Sequence, residues 1–369
     1  MKLAIIGGHL SPALSVMEAL PKDIEILFVG RKYSFEGDKA LSLEYKTVRS
    51  LNIPFAEITS GRLQRKLTRY TISSLLKFPV GIIQSFLILR KFKPDAVVGF
   101  GGYVSLAVTL SAFLMRIPVV IHEQTLEAGI SNKIISTFAK KICISWDSSR
   151  PFFPKEKTVL TGNPVRKFTI DNFQFSIDKK LPTVYITGGS SGSHFINKLV
   201  EGCIKGLLEK FNVIHQTGDS AFGDFDRLAN LRLNFPSLLR ARYILKKFID
   251  PSVVGSILSN SDLVISRAGV NTMTELIYFE KPAILIPIPF SQGSEQLKNA
   301  KFLESHNLGK VMLQNQTDSK SLYQEIALMF EEKGKYELDK TKSGSLHVDI
   351  NAQKIVEVIK YVGKYKKSP

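Results

Sequence analysis

The first part of the chain alternates short, largely apolar runs with segments of helix length. The runs cover residues 2–6, 24–29, 96–99 and 119–122, and glycine follows or ends the first three. Continuous apolar runs of this length are typical of strands that are buried on both faces of a sheet. Because such strands alternate with helices here, the pattern predicts βαβ units and a parallel sheet.

A second series of the same kind begins after Pro164. Its runs cover residues 183–187, 213–216, 263–266 and 283–286, and each precedes a small-residue turn and a helix-length segment. We therefore predict two doubly wound, Rossmann-like α/β domains that join near residues 161–166 and face each other across a central cleft, with ligand sites beyond the carboxyl ends of the strands. Residues 219–245 are more polar and less periodic, and they predict no particular element.

Composition places the chain among globular proteins of a reducing compartment. Of 369 residues, 44% are hydrophobic and 22% charged, which excludes a disordered or collagen-like chain. The two cysteines, Cys143 and Cys203, lie far apart with no CxxC or Cys/His cluster, so neither a zinc site nor a disulfide framework is indicated. The N-terminus lacks the apolar segment of a secretory signal. Residues 96–115 are uncharged, but Gly99, Gly101 and Gly102 interrupt them, which favours a strand and a helix over a membrane span.

The formal net charge of +17 is concentrated in two segments. Residues 58–94 hold eight basic residues and no acidic one, and four more lysines lie within residues 360–369. Residues 70–89 carry too many apolar side chains for one core-facing stripe, which is typical of an interfacial pair of helices on an anionic membrane. The predicted membrane residues are Lys77, Phe78, Phe86, Arg90 and Lys91. A buried helix with solvated charges is the alternative; nucleic-acid binding is a poorer one, because no nucleic-acid-binding motif accompanies the charge.

The strongest local motif is the small-residue loop after the run 183–187. It reads Gly188, Gly189, Ser190, Ser191, Gly192 and Ser193, and a helix is predicted to begin near His194. Glycines let backbone amides approach an anion closely, and the N-terminus of the helix adds a partial positive charge, so the loop is suited to a diphosphate. It is neither GxGxxG nor a P-loop, which weakens hydride-transfer and kinase interpretations. A tight structural turn is the alternative.

Two further strand-to-helix turns carry candidate chemistry. The first is Gly7-Gly8-His9, where His9 could act as a general base or cap the following helix. The second spans residues 266–275, where Gly269 permits close approach and Glu275 could accept ribose hydroxyls or merely favour the start of a helix. The acidic triplet 224–226 lies away from every Gly-rich turn, so we do not interpret it as a metal site.

Taken in order, these motifs resemble the MurG-type N-acetylglucosaminyltransferases of glycosyltransferase family 28, which have the GT-B fold. The matching residues cover nearly the whole chain: Gly7-Gly8-His9 with Pro12, 98–103 (VGFGGY), 122–124 (HEQ), 161–166 (TGNPVR), 188–190 (GGS), 215–218 (HQTG), 248–250 (FID), 266–269 (SRAG) with Thr272 and Glu275, and Gln296 with Asn299. No single motif is diagnostic, but their shared order is.

The resemblance implies an inverting enzyme that needs neither a metal nor a cofactor. It would move N-acetylglucosamine from UDP-N-acetylglucosamine to undecaprenyl-diphosphate-linked N-acetylmuramoyl-pentapeptide, the step from lipid I to lipid II of peptidoglycan synthesis. It would act as a peripheral protein on the cytoplasmic face of an anionic membrane and bind no nucleic acid. Residues 1–163 would bind the acceptor and the membrane, residues 164–346 would bind the UDP-sugar, and a helix in 347–369 would pack back on the first domain.

The resemblance also implies a role for each matching site residue. His9 would be the catalytic base, with Glu123 as the second choice. The acceptor would be bound by Gly7, Gly8, Tyr103, His122 and Gln124. The donor would be bound by Arg166, Gly188, Gly189, Ser190, Phe248, Ile249, Gly269, Thr272, Glu275, Gln296 and Asn299.

Three positions depart from the family pattern. The first Gly-rich turn is shorter than the family's GGTGGH, Thr125 stands where asparagine is usual, and Ser191 stands where glutamine is usual. The acceptor half therefore matches less closely than the donor half. A family 28 transferase with another lipid acceptor, such as a glycolipid, and a non-catalytic nucleotide-sugar or lipid-binding subunit are the alternatives.

Overall fold

The structure is a computed structural model that describes residues 1–33, 40–59, 69–165, 168, 170, 175, 178–189, 191–219, 221–339 and 351–365, without the side chains of 69–77, 292, 351, 364 and 365. The chain divides into two compact units. The first unit comprises Met1–Arg166 and His347–Pro369, and the second comprises Lys167–Leu346.

The first unit is built on a parallel sheet of seven strands in the order β3-β2-β1-β4-β5-β6-β7. The strands are β1 (Lys2–Ile6), β2 (Glu25–Gly30), β3 (Phe55–Glu57), β4 (Ala96–Gly99), β5 (Val119–Glu123), β6 (Lys141–Ile144) and β7 (Thr158–Leu160). The helices are α1 (Leu10–Ala19), α2 (Leu43–Ser50), α3 (Arg69–Phe92), α4 (Gly102–Leu114), α5 (Ile130–Ser136) and the later α13 (Asn351–Tyr365). Strand order reverses between β1 and β4, where a doubly wound sheet opens a ligand crevice.

The second unit repeats this plan with six parallel strands in the order β10-β9-β8-β11-β12-β13. The strands are β8 (Thr183–Thr187), β9 (Asn212–Gln216), β10 (Tyr243–Lys246), β11 (Leu263–Ser266), β12 (Ala283–Leu285) and β13 (Gly309–Val311). The helices are α6 (His194–Lys210), α7 (Asp224–Leu233), α8 (Ser237–Arg242), α9 (Pro251–Ser259), α10 (Val270–Tyr278), α11 (Glu295–Ser305) and α12 (Ser319–Glu331). Its switch point lies between β8 and β11.

Burial explains why the apolar runs form central strands. Leu3, Ala4, Ile5 and Ile6 of β1 are fully buried, because helices cover both faces of the sheet. One face packs against α4 and α5, and the other against α1 and α13, which contributes Ile355, Val356, Ile359 and Val362 to the core. The polar stretch 219–245, which predicted no element, forms α7, α8 and part of β10.

Residues 69–92 of the basic segment form a single helix rather than the predicted pair. Helix α3 runs from Arg69 to Phe92 and continues through Pro79. Proline removes one N–H from a helix without ending it when the flanking turns are held by other contacts, and α3 packs along α4. None of the helices in the described ranges has the length and apolar character needed to cross a bilayer.

Candidate active site

Three strand-to-helix turns meet at the switch point of the first unit. Gly7 and Gly8 follow β1, Gly101 and Gly102 follow β4, and His122 to Gln124 end β5. A Cβ at Gly8 would overlap the carbonyl of Gly101, so the first two turns touch backbone to backbone. The sheet therefore brings together the acceptor-side residues that the sequence predicts: Gly7, Gly8, His9, Tyr103, His122, Glu123 and Gln124.

His9 lies at the centre of this group. It occupies the N-cap position of α1, but its side chain makes no capping hydrogen bond. Its ring lies beside Gly101, because a Cβ there would be 3.1 Å from Cδ2 and 3.3 Å from Nε2 of His9. Burial lowers the pKa of His9, and the nearby Glu123 carboxylate opposes that shift. A histidine with a lowered pKa is neutral at physiological pH and can accept a proton.

Glu123 is buried, and both of its carboxylate oxygens hold hydrogen bonds. Oε1 accepts from the backbone N–H of Thr125 at 3.0 Å and from its hydroxyl at 2.6 Å. Oε2 accepts from the N–H of Gly129 at 2.9 Å and from the side-chain amide of Asn132 at 2.9 Å. A carboxylate with four donors is fixed in place, which favours support of the His9 region over proton abstraction from a substrate.

His122 and Gln124 are buried beneath the turns. Nε2 of His122 lies 3.1 Å from the Ser145 hydroxyl and 3.4 Å from the carbonyl of Gly162, and burial lowers its pKa to about 3. The carbonyl of Gln124 accepts from the indole N–H of Trp146 at 2.7 Å. His122 is therefore a neutral framework residue, with its ring 5.7 Å from that of Phe100.

Arg31, to which the sequence analysis assigns no role, follows β2 on the same edge of the sheet. Its guanidinium lies 5.2 Å from the ring centre of Tyr103. A basic residue directly after a buried strand is the signal that could have found it.

In the second unit, the Gly188–Ser193 turn lies between β8 and α6. A Cβ at Gly188 would overlap Ser193, whereas Gly189 has a φ of +84° and open space where its Cβ would be. Ser193 caps α6 by accepting from the N–H of Ile196 at 3.4 Å. Open space above a left-handed glycine at a helix start is suited to an anion. Ser190 and Arg166 lie outside the described residues.

Arg267 braces this turn, and the sequence assigned it no role of its own. Its guanidinium donates to the Ser193 hydroxyl at 2.8 Å, to the carbonyl of Ile286 at 2.9 Å and to the side-chain oxygen of Gln314 at 2.9 Å. It thereby ties the loops after β8, β11, β12 and β13 together. Its partners are far apart in the sequence, so only the position of Arg267 at the end of a strand could have suggested it.

The other predicted donor residues lie on neighbouring loops and helices of the same sheet edge. Gly269 precedes α10, and Thr272 and Glu275 are half-buried on that helix. Phe248 is 57% exposed, whereas Ile249 is buried. The side-chain oxygen of Gln296 accepts from the N–H of Ile288 at 3.0 Å.

Asn299 has a buried side chain that is only partly hydrogen-bonded. Its Nδ2 donates to the carbonyl of Ala268 at 3.0 Å, and Oδ1 has no partner among the described residues. The bond to Ala268 ties Asn299 to the loop that leads into α10.

The acidic triplet 224–226 has a structural explanation. Asp224 is buried and accepts from Nδ1 of His194 at 2.7 Å, from Arg227 at 2.7 Å and from the amide of Asn197 at 2.9 Å. Within the described ranges, no group of three or more His, Cys, Asp or Glu residues is placed to hold a metal ion.

The surface of α3 presents the apolar side chains expected of a membrane contact. Ile83, Phe86 and Leu87 are 61%, 40% and 60% exposed, while Phe78 packs against the core. Arg90 and Lys91 are exposed at the end of the helix. The side chain of Lys77 is outside the described set.

Comparison with known proteins decides the family. The model of the glycosyltransferase family 28 N-terminal domain matches residues 6–144, and that of the family 28 C-terminal domain matches residues 183–359. The chain belongs to glycosyltransferase family 28. The two doubly wound sheets are those of the GT-B fold, as the sequence predicts.

Relatives in this family align over nearly their whole length. The UDP-N-acetylglucosamine–N-acetylmuramyl-(pentapeptide) pyrophosphoryl-undecaprenol N-acetylglucosamine transferase of Oenococcus oeni is 35% identical, over 90% of this chain and 88% of the relative. The enzyme of the same name from Clostridium botulinum is 31% identical, over 98% of this chain and 97% of the relative. The crystal structure of Acinetobacter baumannii MurG superposes with a TM-score of 0.73 at 26% identity, covering 98% of this chain and all of that one.

Proposed function

We propose that the chain transfers N-acetylglucosamine from UDP-N-acetylglucosamine to undecaprenyl-diphosphate-linked N-acetylmuramoyl-pentapeptide, which converts lipid I to lipid II. One observation carries this proposal: relatives with that named activity align with both units, from the first Gly-rich turn to the last helix. The sheets support it, because each unit keeps a small-residue turn at the switch point where its ligand is expected.

In this proposal the second unit binds the donor. The amides of the Gly188–Ser193 turn and the N-terminus of α6 face the diphosphate. They stabilise the negative charge that develops on the departing UDP without a metal ion. Phe248 and Ile249 hold the uracil, Glu275 accepts the ribose hydroxyls, and Asn299 with Gln296 holds the sugar. Thr272, Gly269, Ser190 and Arg166 complete the site by resemblance.

The first unit binds the acceptor and supplies the base. Nε2 of His9 accepts the proton of an acceptor hydroxyl as that oxygen attacks the anomeric carbon and the bond from this carbon to UDP breaks. The lowered pKa of His9 supports this assignment, because the imidazole is then free to accept a proton. Glu123 is better placed to orient and stabilise the protonated His9 than to serve as the base itself.

Membrane attachment follows from the exposed surface of α3. Apolar side chains flanked by Arg90 and Lys91 suit the boundary between headgroups and acyl chains, where each basic residue adds about 1 kcal/mol. We propose that the protein is peripheral and works on the cytoplasmic face of the membrane, where UDP-sugars are available. The charge then serves an anionic lipid surface rather than a nucleic acid.

The test is UDP release from UDP-N-acetylglucosamine with and without the lipid-linked acceptor, followed by mass analysis of the lipid product. We expect release that depends on the acceptor and a product heavier by one N-acetylhexosamine. His9→Ala should lower turnover by about 100-fold to 10,000-fold and leave UDP affinity unchanged. UDP release only with another glycolipid would point to a different family 28 acceptor, and binding without any release would point to a non-catalytic subunit.

A further inference from the structure

The backbone N–H groups of the Gly7-Gly8-His9 turn all face acceptors of the protein itself. The N–H of Gly7 donates to the carbonyl of Val29 at 2.9 Å, and that of His9 donates to the carbonyl of Phe100 at 3.1 Å. The N–H of Gly8 faces the carboxylate of Glu44 and lowers the pKa of that group. The first turn of α1 adds at most the amides of Leu10 and Ser11, because Pro12 has none.

Glu44, in the first turn of α2, is built into this site. Its carboxylate fills the space that a side chain at Gly7 or at Gly30 would need. It also accepts from the N–H of Arg31 at 3.3 Å. Burial raises the pKa of Glu44, and its hydrogen bonds to Arg31 and Gly8 oppose that rise. The Glu44 carboxylate therefore occupies the position where a phosphate would contact the glycine turn.

Arg31 follows β2 at the same edge of the sheet as that turn. Its backbone N–H donates to the Glu44 carboxylate, and its half-buried guanidinium lies over the ring of Tyr103 in the first turn of α4. Among the described residues, the guanidinium forms no ion pair within 4.0 Å, although its charge helps to lower the pKa of Glu44. A planar guanidinium held over an aromatic ring offers a preformed pair of N–H donors to a phosphate.

We propose that Arg31, rather than the amides of the Gly7-Gly8 turn, binds the diphosphate of the acceptor, and that Glu44 keeps that turn closed to anions. The proposal rests on the proposed function, since it names how this chain meets the polyprenyl diphosphate of its acceptor. It also explains how a chain with a shortened first turn handles a charged acceptor: a side chain supplies the contact that fewer amides can make.

The test compares Arg31→Gln and Glu44→Gln with Lys22→Gln, a control that removes an exposed positive charge from the same unit. Acceptor KM and UDP-N-acetylglucosamine KM are measured separately from UDP release. Arg31→Gln should raise acceptor KM by about tenfold or more and leave the donor KM within about twofold. Lys22→Gln should change acceptor KM by less than about threefold. Glu44→Gln should not tighten acceptor binding, because glutamine still fills the space beside Gly7 and Gly30.

A binding measurement keeps the proposal independent of turnover. Farnesyl diphosphate should compete with the acceptor, and Arg31→Gln should weaken that competition about tenfold, whereas farnesol should compete equally well with both proteins. Binding to anionic liposomes should be unchanged, which separates a lipid diphosphate from the membrane surface. If Arg31→Gln melts before the assay temperature, Arg31→Lys replaces it, because lysine keeps the charge but lacks the paired N–H donors and should still raise the acceptor KM.

Two results would overturn the proposal. An Arg31→Gln protein with normal acceptor KM and normal farnesyl diphosphate competition would remove Arg31 from the site. A Glu44→Gln protein that binds acceptor about tenfold more tightly would show that the glycine turn is the diphosphate site and that Glu44 competes for it. Wild-type protein that uses no acceptor would instead refute the proposed function, while farnesyl diphosphate binding would still decide the role of Arg31.

Discussion

Replacing Glu123 by Gln should weaken both the fold of the first unit and the proton affinity of His9. The substitution keeps the size of the side chain and exchanges one carboxylate oxygen for an NH2 group. If that group replaces Oε1, it faces the N–H of Thr125; if it replaces Oε2, it faces the N–H of Gly129. In either orientation one backbone N–H of the Glu123 loop loses its acceptor.

The magnitude follows from the hydrogen bonds that change. A buried donor without a partner costs about 1 to 3 kcal/mol, and the remaining bonds lose the strength that a charged acceptor gives them. We therefore expect the free energy of unfolding to fall by about 2 to 4 kcal/mol, which lowers the melting temperature of a unit of this size by about 4 to 15 °C. Turning the Asn132 amide would bring its Oδ1 towards the new NH2 group, but it would also break the 3.1 Å hydrogen bond from Nδ2 to the carbonyl of His122.

Differential scanning calorimetry measures the stability change, and the pH profile of turnover measures the effect on His9. Because the Glu123 charge raises the pKa of His9, its removal lowers that pKa, and the acidic limb of the profile should move to lower pH. Glu127→Gln, an exposed carboxylate in the same loop, is the control. A Glu123→Gln protein with the melting temperature and acidic limb of the wild type would refute the reasoning for both the buried carboxylate and His9.

Three further predictions concern acid stability, the donor and the membrane. Burial lowers the pKa of His122 and of His215 to about 3. As the pH falls, both histidines are therefore protonated in the unfolded chain before they are protonated in the folded protein. Stability in urea denaturation should then fall as pH drops below about 6.5, by about 2 kcal/mol per histidine at about pH 5, and equal stability at neutral and acidic pH would contradict this. Glu275→Ala should weaken UDP binding in calorimetry by about 1.5 to 3 kcal/mol, and an unchanged Kd would remove Glu275 from the donor site. Replacing Arg90 and Lys91 by Gln should lower sedimentation with anionic liposomes at low salt, with UDP affinity as the control; wild-type protein that ignores such liposomes would exclude the membrane surface.

The structure favours one of the two interpretations that the sequence left open at His9 and at Glu123. His9 could be a base or a cap, and its side chain makes no capping bond. Glu123 was the second choice of base, and its four donors favour a supporting role. The donors to Glu123 are Thr125, Gly129 and Asn132, and the spacing of residues along the strand does not show that the following loop folds back onto the carboxylate.

The basic segment shows a similar limit. Its composition predicted an interfacial pair of helices, and the structure has one helix that passes through Pro79. Apolar excess and flanking charge report the environment of a segment, whereas helix continuity depends on how the neighbouring helix supports the turn around the proline. Sequence could therefore predict the exposed apolar face but not its architecture.

The sequence by itself determined the two parallel sheets, the position of the Gly-rich turns at their carboxyl edges and the family. Strands buried on both faces require continuous apolar runs, and turns at helix starts require small residues, so both can be recognised from a short stretch of sequence. Only the tertiary structure decided what occupies those turns. Glu44 at Gly7 and Arg267 at Ser193 are distant in sequence from the residues they contact. Whether a backbone amide faces a ligand or a side chain depends on which loops lie next to each other, and the strand order of the sheet decides this. The sequence of a single strand does not predict that order.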